Sequence, residues 1–168
     1  MKLKGLIKRK YAVATKGSKK REVPEGIYVQ CPKCKKSIYR PELKKTLGIC
    51  PHCQYYYPLS ARGRLGMIVD KNSFEEMDSD LKSSNPLEFE GYEEKLEKYK
   101  EKTKQNEAVL TGKATIEGQE VIIAIMDSGF MMGSMGSVVG ERITCLFEYA
   151  TENRLPVVAF TVSGGARM

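Results

Sequence analysis

Four of the five cysteines fall in two pairs, Cys31-Pro32-Lys33-Cys34 and Cys50-Pro51-His52-Cys53, with 15 residues between the pairs. Each C-x2-C turn aims two sulfurs at one point, and two such turns complete a tetrahedron. The chemistry is metal binding, and Cys31, Cys34, Cys50 and Cys53 are the expected ligands of one structural zinc ion. Four thiolates leave no position open for water, so such an ion braces the chain rather than reacting. A short module with little apolar mass needs a clamp of this kind to fold. Two disulfides, a redox-active CxxC and a Cys3His site using His52 stay open as alternatives. The odd cysteine count, with no apolar leader at the N-terminus, argues against a disulfide scaffold. Cys145 stands apart and reads as a small buried hydrophobe.

Two glycine segments are the other candidates for chemistry. Gly133-Ser134-Met135-Gly136-Ser137 precedes a helical pattern, and Ser163-Gly164-Gly165-Ala166-Arg167 follows a strand pattern. Glycines let backbone N–H groups approach a ligand closely, and such groups after a strand or at a helix start suit negative charge. A phosphate or an enolate oxygen both qualify. Neither segment is a Walker loop or a GxGxxG fingerprint, and tight-turn glycine is the plain reading of each alone. Arg167 is expected either on a phosphate or on a buried carboxylate.

The elements that must position these residues follow from period and punctuation. Residues 1–22 read as a basic, disordered tail, 23–58 as the cysteine module, 59–106 as a charged helical connector, and 107–168 as the first part of a larger α/β domain. Ser60 caps a short helix to about Val69, with Leu65 inward. Tyr92, Leu96 and Tyr99 make one apolar stripe on a helix to about Gln105. Ala108 to Ile116 and Val121 to Met126 form a hairpin around Glu117-Gly118-Gln119, the second strand apolar enough to be buried on both faces. A helix from Ser137 to Asn153 buries Val138, Val139, Ile143, Leu146, Phe147 and Ala150. A second buried strand, Val157 to Val162, gives a parallel crossover.

The net charge of +7 is concentrated at one end. Residues 1–21 hold nine Lys and Arg and no acid, so the remainder carries 19 basic and 21 acidic residues. The basic character is a tail property. The cysteine module nevertheless carries Lys33, Lys35, Lys36, Arg40, Lys44 and Lys45 beside Tyr28, Tyr39, Tyr55, Tyr56 and Tyr57. Such a mixture could contact RNA or DNA. The longest apolar run, Val121 to Met126, is far too short to span a membrane.

Four blocks together resemble the beta-subunit family of bacterial-type acetyl-coenzyme A carboxylase carboxyltransferases. They are CPKC…CPHC, LSARGRLGMIVDKNSFEEMD, MDSGFMMGSMGSVVGERI and TENRLPVVAFTVSGGARM, in that order, covering about Pro24 to Met168. Related carboxylases acting on propionyl thioesters share the SARxRL-like and SGGAR-like pieces but lack the ribbon, which favours the acetyl enzyme. The resemblance implies a crotonase-like (ClpP/crotonase) carboxyltransferase domain of repeated β-β-α units behind a four-cysteine zinc ribbon. It implies transfer of a carboxyl group from carboxybiotin on a carrier protein to acetyl-CoA, giving malonyl-CoA for fatty acid synthesis. It places Ser163, Gly164, Gly165, Ala166 and Arg167 on one wall of the acyl-CoA site, with Gly133, Met135, Gly136 and Ser137 as the other wall or a structural turn. It implies an alpha subunit in a two-alpha two-beta assembly, a biotin carboxyl carrier protein, biotin carboxylase, an ATP-binding complex and a cytoplasmic or plastid-stromal home. Family members continue past the motif at Met168 to a Thr-Gly-Gly segment that cradles the enolate. A fragment of the domain, inactive by itself, is therefore the expectation. The alternative from the residues alone is a zinc-ribbon protein that binds nucleic acid.

Overall fold

A computed structural model describes residues 26–168, and the basic tail lies outside them. Its centre is a hairpin of β4 (Val109–Ile116) and β5 (Gln119–Met126), paired antiparallel from Val109↔Met126 to Ile116↔Gln119. Glu117 and Gly118 take φ of 51° and 77°, the left-handed pair that matches a two-residue turn to strand twist. Asp70 caps this turn through the hydroxyl of Thr115 and the N–H groups of Gly118 and Glu117, and these bonds hold its carboxyl below the usual range.

The short strand β3 (Glu75–Glu76) adds antiparallel to β4, and β6 (Val157–Phe160) adds parallel to β5, so the sheet order is β3-β4-β5-β6. Strand alternation divides the core in two. Ile122, Ala124 and Met126 face one layer with Leu96, Phe130, Val139 and Leu146. Val121, Ile123 and Ile125 face the other with Ala61 and Leu65. This two-sided burial explains why β5 is apolar at every position from Val121 to Met126.

Helix α2 (Ala61–Ile68) covers the second face, capped by Ser60, whose hydroxyl accepts the Gly63 N–H at 3.1 Å. Helices α3 (Tyr92–Thr103) and α4 (Ser137–Asn153) cover the first. Residues 59–106 are thus integral to the sheet domain: α2 and α3 supply both cores and β3 extends the sheet. Their surface charges gave them the look of a linker, while the few apolar residues are the ones buried. Helix α3 stops at Lys104, in left-handed geometry, just short of Gln105.

Two expected burials differ. In α4 Arg142 is buried while Phe147 is 51% exposed, and Cys145 is only half-buried with its thiol 3.8 Å from Glu141. Arg142 reaches across to the carbonyls of Val109 and Leu81, an acceptor pair that periodicity cannot reveal. The strand expected to Val162 ends at Phe160 and is half-exposed, because it is the edge of the described sheet. Among the described residues no helix is long and apolar enough to cross a membrane.

Ahead of the sheet domain lies a small module. Strands β1 (Tyr28–Gln30) and β2 (Ser37–Tyr39) pair antiparallel, α1 (Arg40–Lys45) carries Pro41 in its first turn, and Ile49 bridges Tyr56. Ile38 and the cysteines form its small core, with Val29, Leu43, Tyr55 and Tyr57 packed around them.

Candidate metal centre and glycine site

The two C-x2-C turns are built alike. The N–H of Lys35 returns to the carbonyl of Cys31, and that of Gln54 to Cys50, both at 2.9 Å. Lys35 and Gln54 each take φ of 60°, which closes each knuckle. The four Sγ atoms converge within 4.8 Å of one another, with Cys31–Cys53 at 3.7 Å and Cys34–Cys50 at 3.8 Å. A tetrahedron with metal–sulfur bonds of about 2.3 Å has edges of about 3.8 Å, so the site fits zinc. His52 is exposed and is not one of the converging ligands. Burial opposes ionisation at both Cys31 and Cys53. Backbone N–H groups of Cys34 and Lys33 outweigh it at Cys31, lowered to about 6, while Cys53 is pushed up to about 12. A divalent cation supplies the positive charge that lets all four ionise together.

The five ribbon tyrosines divide. Tyr55 and Tyr57 pack edge to face, 5.3 Å apart, inside the module. Tyr28 and Tyr39, 5.6 Å apart, and Tyr56 are exposed.

At the end of the sheet where β5 and β6 finish, the two glycine segments lie against each other. Met135 and Ala166 form a parallel bridge: Met135 N–H donates to Gly165 O, and Arg167 N–H to Met135 O, both at 2.9 Å. Gly164 N–H donates to Met132 O at 2.9 Å, and Gly165 N–H to the Ser163 hydroxyl at 3.0 Å. The N–H groups of Gly164, Gly165 and Met135 therefore hold the loops together. Those of Ser163, Ala166 and Gly136 have no acceptor among the described residues. Gly133 has φ of 69°, and a Cβ there would run into the Val162 carbonyl. Gly165, at φ of 113°, sits where a side chain strains the backbone. Met131 and Met132 also turn left-handed, at 44° and 57°, and leave Met132 exposed beside Gly164.

Arg167 takes the second of its two expected roles. Its guanidinium grips Glu107 through two bonds of 2.7 Å, and the side chains are 4% and 0% exposed. It also donates to the Ser134 hydroxyl and carbonyl, each at 3.0 Å. Burial alone would raise the Glu107 carboxyl, but the bonds from Arg167, Ser83 and Ala108 N–H outweigh it, and Glu107 lies below the usual range. Burial likewise opposes the Arg167 charge, and Glu107 more than restores it. The ion pair thereby clamps one glycine segment to the other and to the start of β4.

Asp127 is a second clamp. It accepts the Ala61 N–H, the Gln105 amide and the Gly129 N–H, each at 2.7 Å. It joins α2, the residue just past α3 and the loop leading to the Gly133 segment. Glu107 and Asp127 were not singled out from the sequence. Their signal was there: each is a lone acid abutting a strand that is otherwise buried, where an unpaired charge is costly.

Residues 59–168 match the carboxyl transferase domain family. Residues 28–53 match the acetyl-CoA carboxylase zinc finger domain. Among solved structures, the transcarboxylase 12S hexamer core with methylmalonyl-coenzyme A and methylmalonic acid bound is 27% identical over 76% of this chain, with a TM-score of 0.56. The same protein with hydrolysed methylmalonyl-coenzyme A bound is 26% identical over 76%, with a TM-score of 0.53. This chain spans 21% and 22% of those two chains. A single-chain, multi-domain long-chain acyl-CoA carboxylase shares the fold at 21% identity over 64% of this chain and 11% of its own, with a TM-score of 0.51. The domain behind the four-cysteine zinc ribbon has the crotonase-like architecture of these proteins, and the chain belongs to the carboxyl transferase domain family.

Proposed function

We propose that this chain serves the carboxyltransferase of an acetyl-CoA carboxylase, acting on the acetyl thioester to give malonyl-CoA for fatty acid synthesis. One observation carries the choice of acetyl-CoA: a ribbon matching the acetyl-CoA carboxylase zinc finger stands directly before the carboxyl transferase domain. Carboxybiotin on a carrier protein supplies the carboxyl group. In the transfer the bond between the ureido nitrogen and the carboxyl carbon of carboxybiotin breaks, that nitrogen takes the acetyl α-proton, and the α-carbon forms the new bond to the carboxyl carbon. Negative charge builds on the thioester oxygen as that proton leaves, and preorganised N–H donors lower the barrier. Gly136, Ser163 and Ala166, whose N–H groups have no acceptor among the described residues, are the donors this chain offers at the glycine site. Arg167 and Glu107 hold them in place. An alpha subunit carrying the carboxybiotin side, the carrier protein and biotin carboxylase are the partners this reading implies, in the bacterial cytoplasm or the plastid stroma.

The test is carboxyl transfer by the full-length protein with an alpha subunit. Gly165→Val, strained at its φ, should lower turnover at least about 100-fold while zinc content stays at one per chain. Normal turnover in that variant would remove the glycine site from the reaction. A second reading, nucleic-acid binding by the ribbon, draws on exposed Tyr28, Tyr39 and Tyr56. It requires RNA affinity that falls steeply with salt and is lost with residues 1–58.

A further inference from the structure

An open cavity of about 720 Å3 separates the ribbon from the sheet domain. The ribbon wall comes from Val29, α1 and the Leu47-Gly48 turn, and the opposite wall from Leu59 and α2 up to Met67. The volume suits a small molecule rather than a protein segment. The walls are mainly apolar, but Arg40 and Lys44 line them, four residues apart on α1 and exposed. Among the described residues neither has a carboxylate partner, whereas Arg62 across the groove is held by Glu76 at 2.7 Å. A slot with apolar walls and unneutralised cations matches a ligand with a flat ring and several negative charges.

The groove is joined to the glycine site through α2. Ala61, at the start of that helix, is bonded to the same Asp127 that holds Gly129, in the loop leading to the Gly133 segment. Arg64 lies 5.4 Å over the ring of Phe160, the last residue of β6 before the Ser163 segment. One face of α2 therefore borders the groove along the helix, while Ala61 and Arg64 abut the strand ends.

We infer that this groove holds the nucleotide end of a coenzyme A thioester, with the purine against the apolar walls and the phosphates at Arg40 and Lys44. The pantetheine arm runs past Ser60 toward Ser163 and Gly136. The inference rests on the carboxyl-transfer reading and assigns the ribbon a part in holding substrate, beyond bracing the chain.

The experiment compares acetyl-CoA with acetyl-pantetheine, the same thioester without its nucleotide, on the full-length, zinc-loaded protein assembled with its partner. The double variant Arg40→Glu with Lys44→Glu should raise KM for acetyl-CoA at least about tenfold with kcat within about twofold, and leave acetyl-pantetheine unaffected. Gly66→Leu has open space for its Cβ and suits a helix, so it should fill the groove with the charges intact and reproduce the pattern. An unchanged KM for acetyl-CoA, or equal weakening of both thioesters, overturns the inference. So does loss of single-stranded RNA binding in the double variant with both KM values intact. If the unaltered protein carboxylates neither thioester, the reaction reading fails instead. Direct binding of coenzyme A, weaker in both variants than in the parent, then still decides the groove.

Discussion

From its sequence Arg167 suits either a phosphate or a buried carboxylate, and the fold turns it inward onto Glu107. A buried pair with two short bonds is costly to break, because the survivor keeps an uncompensated charge. Arg167→Ala should lower unfolding free energy by roughly 3–5 kcal/mol, measured in urea, and loosen the Met135–Ala166 bridge. The sign of the pH effect follows from Glu107, whose folded value is depressed. Its contribution is complete above the unfolded carboxyl value of about 4.3 and disappears as pH falls through the lower folded value. Acid titration of the parent should therefore show a stability loss below about pH 4.3 that Glu107→Gln largely lacks. The same slope in both proteins would mean that other carboxylates govern acid unfolding. Nothing local in the sequence could reveal this pair, since its members are 60 residues apart. What was legible at residue scale was the metal site, whose ligands come as neighbours in two short turns.

Among the elements, the hairpin, α2 and α4 were readable because each announces itself within a few residues: a turn pair at Glu117-Gly118, a cap at Ser60, a 3.6-residue stripe. The role of 59–106 was not readable. Charges dominate its composition, and only the tertiary contacts show that Ala61, Leu65 and Leu96 are core residues. Asp127 is the bond between these elements, 66 residues from Ala61. Asp127→Ala strands three donors, two of them backbone N–H groups, and should cost roughly 3 kcal/mol. Hydrogen exchange should then quicken at Ala61 to Arg64 and at Gly129 while the β4–β5 ladder stays protected. Uniform loss of protection across the sheet would show that Asp127 supports the whole core rather than the junction.

At the scale of the molecule, the ribbon and the sheet domain have separate cores, one organised by sulfur and the other by apolar strands. Removing metal with a chelator should unfold residues 28–57 and leave the strand resonances of Val109 to Phe160 dispersed, as read by amide NMR. Collapse of both sets together would mean that the ribbon also holds up the sheet. The sequence alone determined the zinc ligands, the hairpin, the β-α-β order and the kinship with carboxyl transferases, because these depend on spacing within a few residues or on ordered blocks. Only the tertiary structure decided which glycine N–H groups are already bonded, where Arg167 points, and that a groove lined by Arg40 and Lys44, without a carboxylate partner among the described residues, opens between ribbon and sheet. Those properties arise when residues far apart in the chain, 60 positions for Arg167 and Glu107, are brought together, and no local pattern encodes that meeting.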